Sequence, residues 1–556
     1  MIEVTNLRVP IARLDGSAAT DERQARSALL RRLHLAPDEV TSVELRRKSI
    51  DARKRPNVVM TLTVRTTLRG GSNAERNLLA HLEARGEAKG VAHVDDDPYR
   101  LPARTRHPLE ERPVVVGAGC AGLFCALALA NAGLEPLLVD RGDDAERRHG
   151  AIERFNLTGE LDPESNVQFG LGGAGTFSDG KLQTGTKSPA HRLILETFVE
   201  AGAQRQILWD AKPHIGSDVL PGVVTNVMNR IDSLGGECRM RTRLVDVDVT
   251  GGNVRSVTLE HVGEGGLVVE ETIPCTHLVL ACGHSARDVL ELLRDRGVTL
   301  ERKTFAMGVR IEHLQEMVDR DQYGSAAGNP ALGAAPYKLV EHLRDGRSAY
   351  SFCMCPGGYV VAAASEQGGV VTNGMSLSDR AGTNANSGLL ANVGPADLPG
   401  DDPLAGVELQ RRCERAAFAA GGGAFVAPAQ LVGDFLAGTP SSAQGSVSPT
   451  YPRGVSWGSI DGCLPEKVVG TLRAAIPRMD RHLKGFASTD AVLTGVETRS
   501  SSPVRVTRGD DGQSVSCRGL FPCGEGAGYA GGIMSAATDG LRCAEALLAD
   551  AEPTRR

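Results

Sequence analysis

The residues with the clearest chemical potential are glycines spaced Gly-x-Gly-x-x-Gly, a pattern that lets the backbone approach a phosphate closely. The pattern occurs three times, at residues 117–122, 170–175 and 526–531. Only the first copy follows a short apolar run, at residues 114–116, and precedes an apolar, helix-like segment; Asp140 lies eighteen residues after its last glycine. This context predicts a Rossmann-type βαβ unit, in which the helix N-terminus binds a pyrophosphate and Asp140 accepts the hydroxyls of the adenosine ribose.

The choice of dinucleotide follows from the last glycine segment. Residues 523–533 combine the end of a strand, the acid Glu525 and glycines that lead into a helix. Glu525 can hold a ribityl chain there, and a helix that begins near Gly532 and Ile533 can point its positive end at the flavin pyrimidine, where reduced flavin gathers negative charge. NAD enzymes need no such terminal element. The sequence therefore predicts FAD, and the single complete Rossmann loop leaves NADH or NADPH only a transient role.

A glycine-dense loop at residues 170–181 is expected to cradle the flavin, because glycines let the backbone reach a flat ring. The predicted contacts in this loop are Gly172, Gly173, Ala174, Gly175, Thr176, Ser178 and Lys181. Lys181 could also stabilise negative charge on reduced flavin or bind an acidic substrate. A flexible surface loop with an exposed lysine is the alternative interpretation.

Candidate acid–base groups precede the terminal segment. Glu497 and Arg499 belong to residues 495–503, which lead into that segment and could line a substrate cavity. A partly buried Glu can transfer protons near neutral pH, and Arg can clamp a carboxylate with two hydrogen bonds. An interdomain salt bridge explains the pair equally well. Tyr529 could cover the flavin or simply pack.

Cys353 and Cys355 are separated by one residue, so in a regular strand both thiols would face the same side. A redox-active pair is one interpretation; buried, inert thiols are favoured, because the Cys-x-x-Cys spacing of thiol oxidoreductases is missing. Two Cys-x-His pairs within residues 275–284 resemble metal ligands, but the strand between them would separate the pairs by about 20 Å. We therefore predict no metal site.

Several elements must position these residues, and their order predicts an α/β protein with an inserted domain. The predicted divisions are a ferredoxin-like βαββα unit at 1–95, a proline-containing linker at 96–112, the first part of the FAD-binding domain at 113–300, an α+β substrate or cap domain at 301–500, and the C-terminal part of the FAD-binding domain at 501–556.

The composition of the chain limits the classes of partner that we expect. The 556 residues carry a formal net charge of −6, which gives no electrostatic footprint for nucleic acid, so a small-molecule substrate and an electron donor or acceptor are the expected partners. Arginine-rich runs in the first 55 residues are interpreted as solvated faces. Twelve scattered cysteines indicate reduced thiols, and no apolar run approaches 20 residues, so a cytoplasmic location without membrane insertion is expected.

The chain resembles an uncharacterised bacterial FAD-dependent dehydrogenase family within the glutathione-reductase-like flavoprotein superfamily. The resemblance is carried by Val116-Gly-Ala-Gly-Cys-Ala-Gly, Asn166-Val-Gln-Phe-Gly-Leu-Gly-Gly-Ala-Gly-Thr-Phe-Ser-Asp-Gly-Lys-Leu, Ala281-Cys-Gly-His-Ser-Ala-Arg-Asp, Tyr350-Ser-Phe-Cys-Met-Cys-Pro-Gly-Gly, Gly495-Val-Glu-Thr-Arg and Cys523-Gly-Glu-Gly-Ala-Gly-Tyr-Ala-Gly-Gly-Ile. These motifs span most of the chain.

The resemblance implies which residues contact FAD. They are Gly117, Ala118, Gly119, Ala121 and Gly122 in the first loop, Asp140 and Arg141 after the next strand, the backbone around Val245 at the adenine, Cys282 and Gly283 at a second flavin contact, and Gly524 and Glu525 in the terminal segment. The resemblance supplies no substrate.

The sequence thus predicts an FAD-dependent dehydrogenase or reductase that moves a hydride or electron pair between FAD and a small organic substrate. An NAD(P)H-dependent flavin monooxygenase is the enzymatic alternative, since it uses the same FAD loop. A flavin-holding scaffold or an RNA-associated protein, using the basic N-terminal unit, is an alternative of another class.

Overall fold

The computed structural model describes residues 1–53, 57–95, 97–106, 109–177, 180–263 and 267–551. The predicted flavin contact Ser178 lies outside these residues. Within them, no helix combines the length and the apolar character needed to cross a membrane.

The N-terminal unit is an antiparallel sheet with two helices. Its elements are β1 (Ile2–Pro10), α1 (Ala18–Leu33), β2 (Val40–Asp51), β3 (Val59–Leu68), α2 (Gly71–Ala84) and β4 (Val91–His93). The strand order β2-β3-β1-β4 is that of ferredoxin-like folds. The βαββα prediction lacked β4, because a strand of three residues is too short to show an alternating pattern.

Lys48 on β2 joins the N-terminal unit to the rest of the chain. Its backbone N–H donates to the carbonyl of Trp209 at 2.6 Å, and the N–H of Ala211 donates to its carbonyl at 2.8 Å. Its ammonium pairs with Asp21 at 2.5 Å and with Asp210 at 3.1 Å. This lysine of the basic N-terminal segment is therefore a docking residue within the chain.

The dinucleotide-binding part follows. Its elements are β5 (Val114–Val116), α3 (Cys120–Asn131), β6 (Leu137–Val139), α4 (Ala145–Thr158), α5 (Ala190–Glu200), α6 (Leu220–Ser233), β7 (Glu237–Arg239), β8 (Thr242–Thr250), β9 (Asn253–Val262), β10 (Val268–Pro274), β11 (Leu278–Leu280) and α7 (Arg287–Asp295). Strands β8, β9 and β10 form a separate three-stranded antiparallel sheet.

The cap part contains most of the remaining strands. Its elements are β12 (Leu300–Arg302), β13 (Phe305–Leu314), α8 (Gln315–Tyr323), β14 (Val340–His342), β15 (Ser348–Cys355), β16 (Tyr359–Ala362), β17 (Thr372–Met375), β18 (Asn384–Val393), α9 (Ala405–Ala420), β19 (Ala427–Leu431), α10 (Val432–Ala437), β20 (Val455–Trp457), α11 (Glu466–Met479) and β21 (Val492–Glu497). Seven of these strands form one sheet in the order β14-β15-β18-β13-β21-β19-β20.

The chain then returns to the dinucleotide-binding part through β22 (Val504–Val506), β23 (Leu520–Pro522) and α12 (Ile533–Ala551). Strand β22 pairs with β12, so the polypeptide enters and leaves the cap along one two-stranded ribbon. Strand β23 completes a five-stranded parallel sheet in the order β23-β11-β5-β6-β7. Four of these strands are fully buried, as expected of a parallel sheet covered on both faces.

Helix α3 is apolar on all sides because it is enclosed. Every residue from Cys120 to Ala130 is buried, and α12 packs against α3 so closely that a side chain at Gly540 would lie 2.1 Å from the carbonyl oxygen of Ala121. Both helices begin at the carboxyl edge of the parallel sheet. The fold therefore brings two positive helix ends to one place.

Candidate active site

A cavity of about 450 Å³ lies where the carboxyl ends of the parallel strands face the cap. Its floor consists of the segments that follow β5, β6, β11 and β23, and its opposite wall consists of cap residues such as Phe352, Asn373 and Glu497. Ligands of open α/β sheets bind at this edge, because the loops that leave the strands there are free to form a crevice.

The first glycine turn is fixed by close backbone packing. Gly117 has φ of +104°, and a Cβ there would lie 2.4 Å from the carbonyl oxygen of Ala281. A Cβ at Gly122 would lie 1.8 Å from the carbonyl oxygen of Gly117. Gly119 lines the cavity at the start of α3. The glycine spacing thus permits the tight turn, the helix packing and an open approach to the first N–H groups of α3.

Asp140 supports this turn. Its Oδ2 accepts a hydrogen bond from the N–H of Ala118, and its Oδ1 accepts one from the N–H of Gly142, both at 2.8 Å. The side chain is buried and lines the cavity. A carboxylate oxygen can accept more than one hydrogen bond, so Asp140 can hold the loop and still accept ribose hydroxyls.

Two other predicted contacts, Arg141 and Val245, are not among the residues that line the cavity, and the adenine contact at Val245 stays a prediction. Arg141 pairs with Asp288 and lies 3.6 Å from Glu164, with its guanidinium over the ring of Phe169. Val245 occupies an irregularity in the β8–β9 pairing and is only half-buried. Arg141 therefore braces the segment after β6.

The second glycine loop lies directly beside the first. Gly172, Gly173, Ala174 and Gly175 line the cavity, and the N–H of Gly172 donates to the carbonyl of Ala118, which joins the two loops. The prediction for Thr176 differs from the structure, because Thr176 is fully buried and its hydroxyl faces the carbonyl of Leu171. It supports the loop from beneath.

Arg148 holds this loop in shape, and sequence reasoning missed it. The buried guanidinium on α4 donates to five backbone carbonyls, those of Asn166, Val167, Gly170, Leu171 and Gly173. Burial lowers its pKa to about 9, so it remains a full donor at neutral pH. Only the presence of an arginine in an otherwise ordinary amphipathic helix could have signalled this role.

The terminal segment provides the other end of the floor. Gly531, Gly532 and Ile533 line the cavity where α12 begins, as does Glu525. Burial raises the pKa of Glu525 to about 7, and Lys303 only partly offsets it. Gly524 is anchored instead, since its N–H donates to Asp539 at 2.7 Å.

Tyr529 lies away from the cavity lining. Its hydroxyl accepts the N–H of Arg508 at 3.0 Å, and the guanidinium of Arg508 lies 3.8 Å from the ring centre. The packing alternative therefore describes Tyr529, and the flavin-covering role does not.

Cys282 and Gly283 line the cavity after β11. Burial raises the pKa of Cys282 to about 12, so it is a neutral thiol. The neighbouring His284 is also buried in the wall, with Nδ1 at 3.6 Å from Glu525.

A cluster of Cys523, Asp539 and Cys543 has atoms close enough to surround an ion. Asp539, however, already accepts from Arg508 and from the N–H of Gly524. The cluster is a hydrogen-bonded part of the core.

Glu497 and Lys181 both line the cavity. Glu497 is buried on β21 and pairs with Arg310 of β13, whose Nη2 donates to Oε1 at 2.9 Å. Burial nevertheless raises the pKa of Glu497 to about 7, because Arg310 offsets only part of the desolvation. Lys181 lies 3.8 Å from the sulfur of Cys353 and 3.6 Å from that of Cys355.

Arg499 is used within the protein. Its Nε and Nη2 donate to the two oxygens of Glu414 at 3.0 and 2.8 Å, and its Nη1 donates to Ser365. Arg287 of α7 donates to the same carboxylate from the dinucleotide-binding side. Arg499 lines the cavity as predicted, but its guanidinium forms the salt bridge of the alternative interpretation. This buried arginine–glutamate–arginine group joins the two parts of the chain.

The residues present fit FAD. A Cβ at Gly283, Gly531 or Gly532 would meet nothing within 4 Å, so these glycines leave open space for a ligand. Among the described residues, the buried Nε2 of His284 and Oγ1 of Thr372 have no hydrogen-bond partner although both residues line the cavity. Buried polar atoms are normally paired, so a polar ligand would complete this wall.

Comparisons with known proteins agree with this geometry. Residues 112–180 match a family described as an FAD binding domain, residues 304–500 match one described as "FAD-dependent protein, C-terminal domain-like", and residues 1–67 match a domain of unknown function. The prediction of FAD is confirmed by the first two matches.

An uncharacterised protein from Clostridium beijerinckii (strain ATCC 51743 / NCIMB 8052) is 42% identical over 523 residues, which cover 94% of this chain and 95% of that protein. Among solved structures, a geranylgeranyl bacteriochlorophyll reductase-like protein from Thermoplasma acidophilum is 12% identical with a TM-score of 0.34, covering 79% of each chain. The L-amino acid deaminase from Proteus vulgaris is 12% identical with a TM-score of 0.30, covering 84% of this chain and 98% of that one. Structural similarity this low carries no inference about activity. The identity to the Clostridium protein and the two FAD matches show that this chain belongs to the same family of FAD-binding flavoproteins as that uncharacterised relative.

Proposed function

We propose that this flavoprotein is an oxidoreductase of the glutathione-reductase-like superfamily that passes a hydride or electron pair between FAD and a small organic substrate. The observation that supports it is one cavity that contains both the glycine loops suited to FAD and a buried carboxyl group with a pKa near neutrality, Glu497. Dehydrogenation and double-bond reduction both need these two parts together.

The floor of the cavity would hold the cofactor. The first N–H groups of α3, beginning near Gly119, would bind the pyrophosphate, and the start of α12 at Gly532 and Ile533 would face the flavin. Bound FAD supplies the two-electron chemistry. Asp140 and Glu525 would accept hydroxyl groups of the ribose and ribityl parts, respectively.

Glu497 would move the proton that accompanies the electron pair. Its pKa of about 7 lets it donate or accept a proton at neutral pH. Arg310 keeps the carboxyl group in one orientation and is fully buried itself. Glu497 thus places one proton carrier on the cap side of the cavity, and Glu525, whose pKa burial also raises to about 7, lies on the floor.

The cap wall also indicates the kind of substrate. It offers the ring of Phe352, the polar groups of Asn373 and Thr372, and two lysines, Lys181 and Lys338. A small organic molecule with an apolar body and a negatively charged group would match these side chains.

The test is anaerobic reduction of the FAD-loaded protein by NADH, by NADPH and by a panel of small organic acids. We expect at least one compound to bleach the flavin absorbance under single-turnover conditions. A purified chain that binds no flavin, or a flavin that none of these compounds reduces, would contradict the proposal. Incorporation of labelled oxygen from O2 into a product would assign the chain to the monooxygenases instead.

Glu497→Gln provides the site-directed test. The variant should bind FAD as the wild type does, while the rate of flavin reduction by the identified substrate falls by about 100-fold, because the proton carrier is lost. Glu312→Gln is the matched control: Glu312 is a buried carboxyl group on β13 that accepts from Thr450 and Asn384. It should leave the reduction rate unchanged.

A further inference from the structure

Cys353 lies at a break in the regular pairing of β15. The register between β15 and β18 shifts between Phe352 and Cys355, so the strand bulges there. Cys353 has φ of +42°, a left-handed conformation that is unfavourable for a residue with a side chain. Bulges re-aim side chains, and Cys353 is half-buried in the cavity lining.

Cys355 stays close to Cys353 although it is buried. Its thiol donates to the carbonyl of Cys353 at 3.2 Å, so its side chain turns back along the chain. Both sulfurs lie within 4 Å of the same nitrogen, the Nζ of Lys181. Pairing between Lys181 and His214 in an isolated bridge fixes the segment that carries the lysine.

The charges around the two thiols suit sulfur redox chemistry. A neighbouring ammonium group favours the thiolate, which is the reactive form of cysteine. Arg310 donates to the carbonyl of Cys353 at 2.9 Å and also holds Glu497, so one buried guanidinium positions both the bulge and a proton acceptor.

We propose that Cys353 and Cys355 form a redox-active dithiol that exchanges an electron pair with FAD in the cavity. The proposal rests on the proposed function only in that FAD acts as a two-electron carrier. Cys353, the more exposed thiol, is the one that reacts with an external partner, a small disulfide or its dithiol. Lys181 is a positioning residue that holds both sulfurs.

The step balances with these groups alone. Closing the Cys353–Cys355 bond breaks two S–H bonds, releases two protons and gives up one electron pair, and oxidised FAD is the acceptor. In the opposite direction the small disulfide is the electron acceptor. Attack of the Cys353 thiolate on it breaks the S–S bond of that partner and expels one thiolate. Cys355 then displaces the second thiolate and closes the protein disulfide, which reduced FAD reopens.

The test is an anaerobic reductive titration of the FAD-loaded protein after mild oxidation by a small disulfide. The wild type should take up two electron pairs per FAD, one for the flavin and one for the disulfide. Cys353→Ser should take up one, whereas Cys355→Ser, which cannot displace the second thiolate, should retain the small thiol as a mixed disulfide on Cys353, detectable by mass. Cys238→Ser is the control, because Cys238 is half-buried on β7 at the sheet edge, and it should still take up two.

Two further measurements keep the result independent of folding. Peptide mass analysis of the oxidised wild type should find residues 353 and 355 linked. At neutral pH, Lys181→Gln should slow alkylation of Cys353 about tenfold, whereas Lys338→Gln, which removes another lysine of the cavity, should not. Uptake of one electron pair by the wild type, with both thiols free after oxidation, would overturn the proposal. Uptake of two pairs, with no organic substrate able to bleach the flavin, would keep the dithiol and reject the proposed function.

Discussion

The two sides of the cavity are built in opposite ways. The floor presents mainly backbone groups from glycine loops and two helix ends, whereas the cap wall presents titratable side chains such as Glu497 and Cys353, with Lys181 reaching them from the end of the second glycine loop. The turn glycines Gly117 and Gly122 tolerate almost no added volume, because neighbouring chain segments touch there. Side-chain sites depend instead on burial and charge. The first kind of site binds through shape, and the second is suited to chemistry, so mutations on the two sides should fail differently.

The largest effect is expected from Gly117→Val in the floor. The new Cβ would lie 2.4 Å from the Ala281 oxygen at a φ of +104°. We expect FAD affinity to fall by at least about 100-fold, equivalent to about 3 kcal/mol, measured as flavin retained on gel filtration. Gly222→Ala is the control, since Gly222 has open space around it. A Gly117→Val protein that keeps its flavin would contradict the view that the floor binds the cofactor through its shape.

Next in size is Glu414→Gln, which acts on the contact between the two sides. Although burial alone raises the pKa of Glu414, Arg499 and Arg287 hold it well below its usual range. The neutral amide would leave the two buried guanidinium groups with only the carboxylate of Glu366, which lies 2.8 Å from Arg287 and 4.0 Å from Arg499, at a cost of about 3 kcal/mol in stability. Thermal melting should show the loss. Glu408→Gln, at an exposed ion pair on the same helix, should cost under about 1 kcal/mol, and equal melting of the two variants would contradict this view.

The carboxyl group of Glu497 in the cap wall should also make the stability of the protein depend on pH. Burial raises the pKa of Glu497 from 4.5 to about 7, so its protonated form stabilises the folded state, fully below 4.5, and this contribution is lost as the pH rises through 7. Burial lowers the pKa values of His284 and His313 to about 4, so these two residues make the folded state more stable as the pH rises. Both are present in the wild type and in the variant, so their effects cancel in the comparison. The melting temperature of Glu497→Gln, relative to wild type, should therefore rise between about pH 5 and about pH 8. A pH-independent difference would show that Glu497 ionises normally.

The smallest effect is expected from Tyr529→Phe. The change removes one hydrogen bond, from the N–H of Arg508, at a cost of about 1 kcal/mol. The flavin absorbance and its rate of reduction should not change, because Tyr529 lies away from the cavity lining. A shifted flavin spectrum in this variant would show instead that Tyr529 contacts the cofactor.

The floor could be predicted from the sequence because its signals are local. A strand, a glycine turn, a helix and Asp140 follow one another in the sequence, and Gly117 and Gly122 are each required by a steric contact. The short strand β4 and the buried position of Thr176 escaped prediction, since three residues show no period and a loop pattern does not reveal which side chains point inward.

The cap wall could be predicted only in part, because its partners are far apart in the chain. Glu497 was a candidate, but its counter-ion Arg310 lies 187 positions away. Lys181 meets Cys353 across 172 positions. The sequence identified Arg499 as a residue that could bind a carboxylate. Only the packing of α9 shows that this carboxylate is the side chain of Glu414. Such pairings arise from tertiary packing, for which sequence spacing gives no signal.

Arg148 has a consequence for the cofactor itself. Its five hydrogen bonds to the carbonyls of residues 166–173 make the shape of that loop a property of the folded protein, independent of the molecule that occupies it. A loop ordered in advance does not subtract from the free energy of binding. We therefore expect the cofactor to be exchangeable. Protein from which FAD has been removed should bind flavins with altered rings in the same cavity without refolding.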